Sequence, residues 1–406
     1  EIGIFEYWDA IGVAKSVHRM QSENKKVPEW VLGMLESGRE SFYEIVNGQL
    51  TYWCPVENKS VIASQNTKNV NLNLYRNSSN TLLRDWSASV HDIGDGVLNV
   101  EFHSIFVPAF NPIDRSIVDV MKYAVNLLEK DQYKGIVIGH QGKNWSAGAN
   151  VNDFKVAIDS NNLNLMEASV KEMQDLTQSI RHSKYPIISC PFNFALGGGF
   201  EFYACSAKSV ASGELYAGLV EAIQGLIPGA GGHLRVLLNL IENNNSNNVN
   251  MNIARKAMEV INPLAVSRSA LDAQEKGFLR KSDLILMNSD QLIAKAKSLI
   301  LEMNDKGYSP PKYRDDLTLP GMTLRTFASV GLKTMKAQGK LSDHDMLVGT
   351  KSAYVLSGGE KGGIMSKVDE QHILDIEREC FMSLAGEKKT QDRIAHFLKT
   401  GKPLRN

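Results

Sequence analysis

The spacing of apolar residues predicts helices followed by a hairpin at the start of the chain. Apolar positions recur at helical spacing over Tyr7–Met20 and Pro28–Gly38. Two β-rich runs follow within residues 41–53, divided by Asn47-Gly48, a pair that is typical of tight hairpin turns. These elements define a first predicted region, residues 1–55.

A polar stretch and a change of pattern come next. Residues 56–81 are rich in asparagine, a composition typical of a linker. From Leu82 onward, strand-like and helical patterns alternate, which predicts βαβ units and a largely parallel sheet covered by helices. The clearest predicted elements are a hairpin over residues 87–104, a helix over 116–131, a strand over 133–140, a helix over Leu163–Arg181 and a strand over 185–195.

Beyond about Pro263 the pattern predicts an almost wholly helical region. Its clearest predicted helices cover residues 284–307 and 369–386. The predicted fold class is therefore α/β, with a core domain at 82–281 and a helical C-terminal region at 282–406.

Composition narrows the classes of partner. The chain has 406 residues, 45 basic and 45 acidic, so its formal net charge is zero, which argues against nucleic acid because that partner needs a basic surface. The four cysteines show no CxxC spacing, so neither a metal site nor a disulfide framework is expected. No window is apolar enough for a membrane span, and a cytoplasmic protein is expected by default. Because the first residue is Glu1, we expect a piece of a longer protein.

Three glycines, Gly197 to Gly199, lie between a predicted buried strand and an apolar helix. A backbone without Cβ atoms lets another atom approach its N–H groups, and N–H groups at a helix start lack partners. Such a turn could hold an oxygen that gains negative charge. A tight packing turn is an equally good interpretation of these glycines alone.

A second small-residue turn, Ala147-Gly148-Ala149, also follows a strand and could offer another N–H to the same oxygen. Taken alone, it is better interpreted as a surface turn. Glu201 and Glu221 each lie in an apolar run beside a glycine-rich turn, where an unpaired carboxylate is costly to bury. A lone glutamate of this kind usually points to solvent, but two of them favour an acid–base pair.

Three motifs, in this order, resemble the enoyl-CoA hydratase (crotonase) superfamily. They are SAGAN at residues 146–150, ALGGGFE at 195–201 and GLVEAIQGLIPGAGG at 218–232. The resemblance covers roughly residues 85–280. It implies a crotonase-like core built as a spiral of ββα units.

The resemblance also implies an activity, the hydration of a trans-2-enoyl-CoA to a 3-hydroxyacyl-CoA. It implies that the N–H groups of Ala149 and Gly198 form the oxyanion hole. Glu201 and Glu221 would be the catalytic carboxylates, with Glu201 as the base and Glu221 as the acid.

Coenzyme A enters this reaction as part of the substrate, and no separate cofactor or metal is implied. The residues that would contact it are those of the two small-residue turns: Ala147, Gly148, Val151 and Gly197. The resemblance places the adenine near the turn at residues 147–151.

Three positions depart from the family pattern. Asn150 stands where the family usually has Asp, and we expect the donor at Ala149 to survive this change. Val220 precedes Glu221 where proline is common, which keeps the acid. His233 replaces a frequent Thr or Gln, and we expect it to start a helix rather than to act in catalysis.

The flanks resemble a fused protein. Residues 1–55 are similar to the tail of the helical C-terminal domain of 3-hydroxyacyl-CoA dehydrogenases, and residues 374–406 are similar to the end of bacterial fused dehydrogenase–hydratases. The resemblance implies a bifunctional protein of fatty-acid β-oxidation whose NAD-binding unit is not in these residues.

An acyl-CoA is the expected partner, with a homo-oligomer or a complex with a thiolase as the expected assemblies. The alternatives are an enoyl-CoA isomerase and a non-catalytic scaffold of a β-oxidation complex.

Overall fold

A computed structural model describes residues 3–46, 49–63, 69–76, 78–262 and 265–406. The chain divides into two units, residues 1–81 and residues 82–406. The predicted turn at Asn47-Gly48 lies outside the described residues.

In its described residues, the first unit holds three α-helices and a three-stranded antiparallel sheet. The elements are α1 (Ile4–Ile11), α2 (Val13–Ser22), α3 (Glu29–Glu36), β1 (Tyr43–Val46), β2 (Gln49–Cys54) and β3 (Lys59–Ile62). The antiparallel pairing of β1 with β2 confirms the predicted hairpin strands. The single helix predicted over Tyr7–Met20 is wrong, because Gly12 adopts a positive φ of 89° and separates α1 from α2. The range predicted as a linker is partly structured, since β3 lies in it and pairs with β2.

Apolar side chains and one carboxylate join the helices of this unit to its sheet. The buried core consists of Val13, Val17, Val31, Met34, Phe42 and Trp53. Asp9 on α1 accepts hydrogen bonds from the N–H groups of Phe42 and Tyr43, at 2.6 and 2.9 Å. Because that carboxylate satisfies two amides at the start of the sheet, it fixes α1 against β1.

The second unit is built on a seven-stranded mixed sheet. Its strands are β4 (Thr81–Arg84), β5 (Ala88–Asp92), β6 (Val97–Phe102), β7 (Gly135–Ile138), β8 (Ile187–Ser189), β10 (Lys208–Ser212) and β12 (Leu284–Leu286), in the order β12-β10-β8-β7-β6-β5-β4. Strands β5 and β6 form the predicted antiparallel hairpin. From β6 to β12 all pairs are parallel, as the strand–helix alternation predicts.

A small parallel sheet lies apart from the large one. It pairs β9 (Asn193–Leu196) with β11 (Leu215–Gly218). The single strand predicted over residues 185–195 is therefore two strands in different sheets, because the chain leaves β8 at Ser189 and enters β9 at Asn193. This change of sheet places the glycines that follow β9 beside a second turn.

Helices cover the sheets of the second unit. They are α4 (Arg115–Glu129), α5 (Val151–Asp159), α6 (Leu163–Arg181), α7 (Gly198–Ala204), α8 (Gly232–Asn243), α9 (Met251–Ile261) and α10 (Ala270–Lys276). The predicted helix over Leu163–Arg181 is confirmed, and α4 confirms the helix predicted over 116–131. Asp114 caps α4 by accepting the Ile117 N–H, which satisfies one amide of its first turn.

The C-terminal region is helical but not wholly so. It holds α11 (Leu292–Asp305), α12 (Met322–Ala337), α13 (Asp343–Leu356), α14 (Glu370–Ala385) and α15 (Lys388–Thr400), and also β13 (Leu317–Leu319) and β14 (Gly363–Val368). The helix predicted over 284–307 is wrong at its start, where β12 pairs in parallel with β10. The helix predicted over 369–386 is confirmed as α14. Helix α14 packs on α6 and α8, and α15 packs on α5, so this region belongs to the same unit as the sheet.

Candidate active site

Two small-residue turns lie side by side at the ends of strands. Ser146 and Ala195 form a parallel bridge, in which the Leu196 N–H donates to the Ser146 carbonyl at 2.9 Å. The turns at 147–149 and 197–199 therefore leave this bridge together. The sequence suggested such neighbours, and the structure brings them together.

Gly199, the third glycine of the run Gly197–Gly199, lies so close to the neighbouring turn that no larger residue fits there. A Cβ on Gly199 would lie 2.7 Å from the Ser146 carbonyl oxygen, and the Trp145 indole N–H donates to the Gly199 carbonyl at 3.0 Å. A side chain there would push the two turns apart. The bare backbone thus sets the spacing of the turns.

The backbone nitrogens of Ala149 and Gly198 lie close to the opposite turn across this contact. A Cβ on Gly198 would lie 3.3 Å from the Ala149 nitrogen. Within the described ranges, neither N–H donates a hydrogen bond to the protein, although buried amides are almost always paired. Both residues line one cavity, so the two donors are available to a bound oxygen.

Glu201 lies on the first turn of α7 and is 3% exposed. Its Oε1 accepts hydrogen bonds from the N–H groups of Ala230 and Gly232, both at 2.8 Å. Burial, followed by the nearby charges of Glu221 and Glu377, raises the pKa of Glu201 well above its usual value, and the two amides act in the opposite direction. One oxygen of this carboxylate is thus fixed by the backbone.

Glu221 begins the short 3-10 turn Glu221–Gln224 that follows β11. Its two carboxylate oxygens are buried and have no hydrogen-bond partner among the described residues. Burial is the main cause that raises the pKa of Glu221 to about 8. This carboxyl therefore holds a proton at neutral pH more readily than an ordinary glutamate does.

A cavity of about 330 Å³ joins these groups. All the predicted site residues line it, namely Ala147, Gly148, Ala149, Val151, Gly197, Gly198, Glu201 and Glu221. The two glutamates and the two free amides thus share one cavity, whose lining is otherwise mostly apolar.

The apolar wall of the cavity was not predicted. It includes Phe154 on α5, Val170 and Met173 on α6, Phe381 on α14 and Phe397 on α15. Phe154 and Phe381 meet edge to face, with ring centroids 5.8 Å apart. In the sequence these residues show only the helical spacing of ordinary core positions, so no signal distinguished them. Two of them come from the C-terminal region.

Sequence reasoning also missed a third buried carboxylate, which lies beside the site. Glu377 on α14 accepts the Gly231 N–H at 2.6 Å and the His233 N–H at 3.0 Å. His233 lies at the start of α8, where a helix start was expected, and its ring contacts Glu377. Asn150, another of the three departures, caps α5 by accepting the Asn152 N–H.

A metal site, a disulfide and a membrane span each require a recognisable arrangement of the described residues. No group of three His, Cys, Asp or Glu side chains in the described ranges is arranged to hold a metal ion. All four cysteines are free thiols. None of the described helices is both long and apolar enough to cross a membrane.

Comparison with known sequences identifies relatives. A family model described as enoyl-CoA hydratase/isomerase matches residues 92–308, more than half of the chain. A "probable 3-hydroxyacyl-CoA dehydrogenase" of Bacillus subtilis is 36% identical over 406 residues, which is 100% of this chain and 50% of that protein. A "putative fatty acid oxidation complex trifunctional enzyme" of Rickettsia felis is 27% identical over 325 residues, which is 80% of this chain and 41% of that protein. The chain spans about half the length, or less, of these two relatives.

Solved structures confirm the predicted crotonase-like fold. A carnitinyl-CoA dehydratase from Mycobacterium thermoresistibile matches with a TM-score of 0.56 and 14% identity, over 78% of this chain and 91% of that chain. An enoyl-CoA hydratase/isomerase from Mycobacterium paratuberculosis matches with a TM-score of 0.51 and 14% identity, over 77% of this chain and 98% of that chain. At such low identity the likeness concerns the fold alone. Because the family model matches more than half of its residues, the chain belongs to the enoyl-CoA hydratase/isomerase family.

Proposed function

We propose that this chain adds water reversibly to a trans-2-enoyl-CoA to give a 3-hydroxyacyl-CoA, as a step of fatty-acid β-oxidation. The main support is that one cavity is lined by buried Glu201, by Glu221 with its buried carboxylate oxygens, and by two backbone N–H groups that have no acceptor in the described residues. Hydration needs a base for water, an acid for carbon and a place for the charge that forms on the thioester oxygen.

The N–H groups of Ala149 and Gly198 would bind the thioester oxygen. As water adds to C3 of the substrate, negative charge moves to that oxygen as an enolate. Two donors aimed at it stabilise this charge by about 3 kcal/mol each, and the start of α7 adds a favourable dipole. Since neither N–H has another acceptor in the described residues, no hydrogen bond must break first.

Glu201 would remove a proton from water as the oxygen–carbon bond forms at C3. Burial raises the pKa of Glu201 overall, and the hydrogen bonds from Ala230 and Gly232 oppose this effect by stabilising the ionised carboxylate. Glu221, whose pKa is raised to about 8, would then give its proton to C2. A proton transfer from Glu201 to Glu221 restores the starting state. The two carboxyls titrate as a coupled pair, so the starting state holds one proton between them.

The coenzyme A part of the substrate would lie along the two turns. The candidates are Ala147, Gly148, Val151 and Gly197, which line the same cavity as the glutamates. The backbone of residues 147–151 would contact the adenine. The acyl chain would occupy the apolar end, beside Phe381 and Phe397.

We further propose that this chain is part of a longer, bifunctional protein. The Bacillus subtilis relative carries the name of a 3-hydroxyacyl-CoA dehydrogenase and is about twice as long as this chain. Residues 1–55 would then be the tail of a dehydrogenase domain, and NAD would bind outside the present residues. We also propose that the protein is cytoplasmic and that it forms a homo-oligomer or a complex with a thiolase.

Hydration of crotonyl-CoA by the wild type and by Glu201→Gln and Glu221→Gln variants tests the proposal. Removing a general acid or base costs about 10² to 10⁴ in rate, so each variant is expected to lose at least 100-fold in kcat. Glu370→Gln replaces another buried glutamate, 1% exposed, and serves as the control that keeps its activity. Near-wild-type rates in both active-site variants would refute the assignment. An absence of acyl-CoA binding in calorimetry would favour the scaffold alternative.

An isomerase is the second candidate, because it needs only one carboxylate to move a proton. The unpartnered oxygens of Glu221 suit such a shuttle. Product analysis with a 3-enoyl-CoA separates the two reactions. A hydratase leaves this substrate unchanged, whereas an isomerase converts it to the 2-enoyl isomer.

A further inference from the structure

Residues Ala230–His233 end the loop before α8 and form the first residues of that helix, and this segment is called the loop Ala230–His233 below. It donates four successive backbone N–H groups to two different carboxylates. Ala230 and Gly232 donate to Glu201, at 2.8 Å each. Gly231 and His233 donate to Glu377, at 2.6 and 3.0 Å. Gly231 has a φ of 104°, which only glycine adopts at low cost and which directs alternate amides to opposite sides. The loop is therefore clamped between Glu201 and Glu377.

Both carboxylate oxygens of Glu377 accept hydrogen bonds from the loop. Oε1 accepts the Gly231 N–H, and Oε2 accepts the His233 N–H and also contacts His233 Nδ1 at 2.7 Å. A carboxylate in this position accepts, so Nδ1 carries the proton and donates. Nε2 of the same ring contacts Ser352 Oγ on α13 at 2.9 Å. Three helices, α8, α13 and α14, thus fix one carboxylate.

The order of a hydroxyl, an imidazole and a carboxylate resembles the triad of a hydrolase, but no substrate can reach it. Ser352, His233 and Glu377 are all 0% exposed, and none of them lines the cavity that holds Glu201. A nucleophile needs access to its substrate. The three residues therefore contact the site through the loop, and Glu377 also acts on it through its charge, which raises the pKa of Glu201 and of Glu221.

We propose that Glu377, held by His233 and Ser352, is a positioning residue that fixes the Glu201 carboxylate through the loop Ala230–His233. This proposal rests on the proposed hydratase function. Without Glu377 the N–H groups of Gly231 and His233 lose their buried acceptor, and the loop must move to find another. Any such movement carries the Ala230 and Gly232 amides with it and so shifts Oε1 of Glu201.

Glu370 on the same helix supplies a matched control. It is 1% exposed and accepts hydrogen bonds from the Gln178 side chain and the Arg314 N–H. Among the described residues, the hydrogen bonds and ion pair of the Glu370 side chain go to Gln178, Arg314 and His182, and not to residues 230–233. Glu377→Gln and Glu370→Gln therefore remove comparable buried carboxylates, and only the first lies beside the loop.

The experiment measures kcat and KM for crotonyl-CoA in the wild type, Glu377→Gln and Glu370→Gln. Because a displacement of about 1 Å can cost about 100-fold in rate, we expect Glu377→Gln to lower kcat by about 10- to 100-fold with KM within about threefold. Glu370→Gln should lower Tm by a similar amount and keep kcat within about twofold. An unchanged kcat in folded Glu377→Gln, or an equal loss in both variants, would overturn the proposal.

Ser352→Ala is the milder variant, in case Glu377→Gln does not fold. It removes only the hydrogen bond to His233 Nε2 and should lower kcat about two- to fivefold. If kcat does not fall in Ser352→Ala while Glu377→Gln fails to fold, the positioning role is rejected.

Hydrogen exchange of the peptide that contains residues 230–233 gives a readout that does not depend on turnover. We expect exchange to become about tenfold faster or more in Glu377→Gln and to stay unchanged in Glu370→Gln. If the wild type does not hydrate crotonyl-CoA, the hydratase proposal fails while the exchange measurement still supports or rejects the clamp. Equal exchange in both variants would contradict it.

Discussion

The surroundings of Glu201 and of Glu221 differ in how they hold a carboxylate. Glu201 has one oxygen fixed by two backbone amides, at 2.8 Å each, on a loop that is itself clamped by Glu377. Glu221 has two buried oxygens without a partner in the described residues. One acid is thus positioned by direct hydrogen bonds, and the other only by the backbone turn that carries it.

The turn that carries Glu221 is held by the C-terminal region. Thr390 Oγ1 on α15 donates to the Gly225 carbonyl at 2.9 Å and contacts His344 Nε2 at 2.8 Å. Arg393 on the same helix donates to the Ala222 carbonyl at 3.2 Å. Burial raises the pKa of the Glu221 carboxyl, and the nearby backbone amides of Glu221 and Val220 act in the opposite direction. Its position then depends on distant helices.

The largest effect is expected on the Glu201 side, from Gly232→Ala. The added Cβ would lie 3.0 Å from Glu201 Oε1 and 2.6 Å from the Pro228 Cβ. It displaces the fixed oxygen, so we expect kcat for crotonyl-CoA to fall about 100-fold.

Gly331→Ala on α12 is the matched control, because its added Cβ meets no atom within 4 Å. It should leave kcat unchanged. A fully active Gly232→Ala would show that the hydrogen bonds to Glu201 do not set its position.

A smaller effect is expected on the Glu221 side, from Thr390→Val. This change keeps the shape and removes the hydroxyl that holds the Gly225 carbonyl. An unsatisfied buried carbonyl costs about 1 to 3 kcal/mol, and the loosened turn should lower kcat about fivefold. Denaturant unfolding and steady-state kinetics measure the two quantities.

Thr400→Val on the same helix is the control, since its exposed hydroxyl donates to the His396 carbonyl within the helix. It should change neither quantity. If the two variants behave alike, the C-terminal helix does not support the Glu221 turn.

The smallest expected effect is a pH-dependent difference in the free energy of unfolding between the wild type and Glu221→Gln. The pKa of Glu221 is raised from an ordinary value of 4.5 to about 8, so the folded protein binds its proton more tightly than the unfolded chain. The stability that this proton contributes is complete below pH 4.5 and is lost as pH rises through about 8. Glu221→Gln cannot ionise, so its free energy of unfolding should exceed that of the wild type increasingly, by roughly 1 to 3 kcal/mol above pH 8.

Urea unfolding of both proteins between pH 5 and 9 measures this difference. The Glu275→Gln variant, which changes an exposed residue, is the control for the loss of a surface carboxylate. Parallel stability curves for the wild type and Glu221→Gln would contradict the raised pKa. Because Glu201 is coupled to Glu221, its own titration contributes to the measured curve.

The motif residues were predictable because their spacing is specific. One site was predicted from three features: the glycines beside Glu201, the turn at Ala149 and the run that ends in PGAGG. The structure places side chains and amides from all three around one cavity. Their catalytic roles stay a prediction. One error had a local cause, because Gly12 interrupts a helical pattern. Another had a distant cause, because Leu284–Leu286 is a strand that pairs with the edge of β10.

The sequence by itself determined the family, the hairpin, the main helices and the residues that meet at the candidate site. These follow from periodicity and from motifs whose residues are close in the chain. Only the tertiary structure decided that α14 and α15 complete the site, with Glu377 behind the loop and Phe381 and Phe397 in the wall. The physical reason is that Glu377 lies more than 140 residues from its partners, and a glutamate or phenylalanine in an amphipathic helix gives no sign of which distant loop it will satisfy or cover.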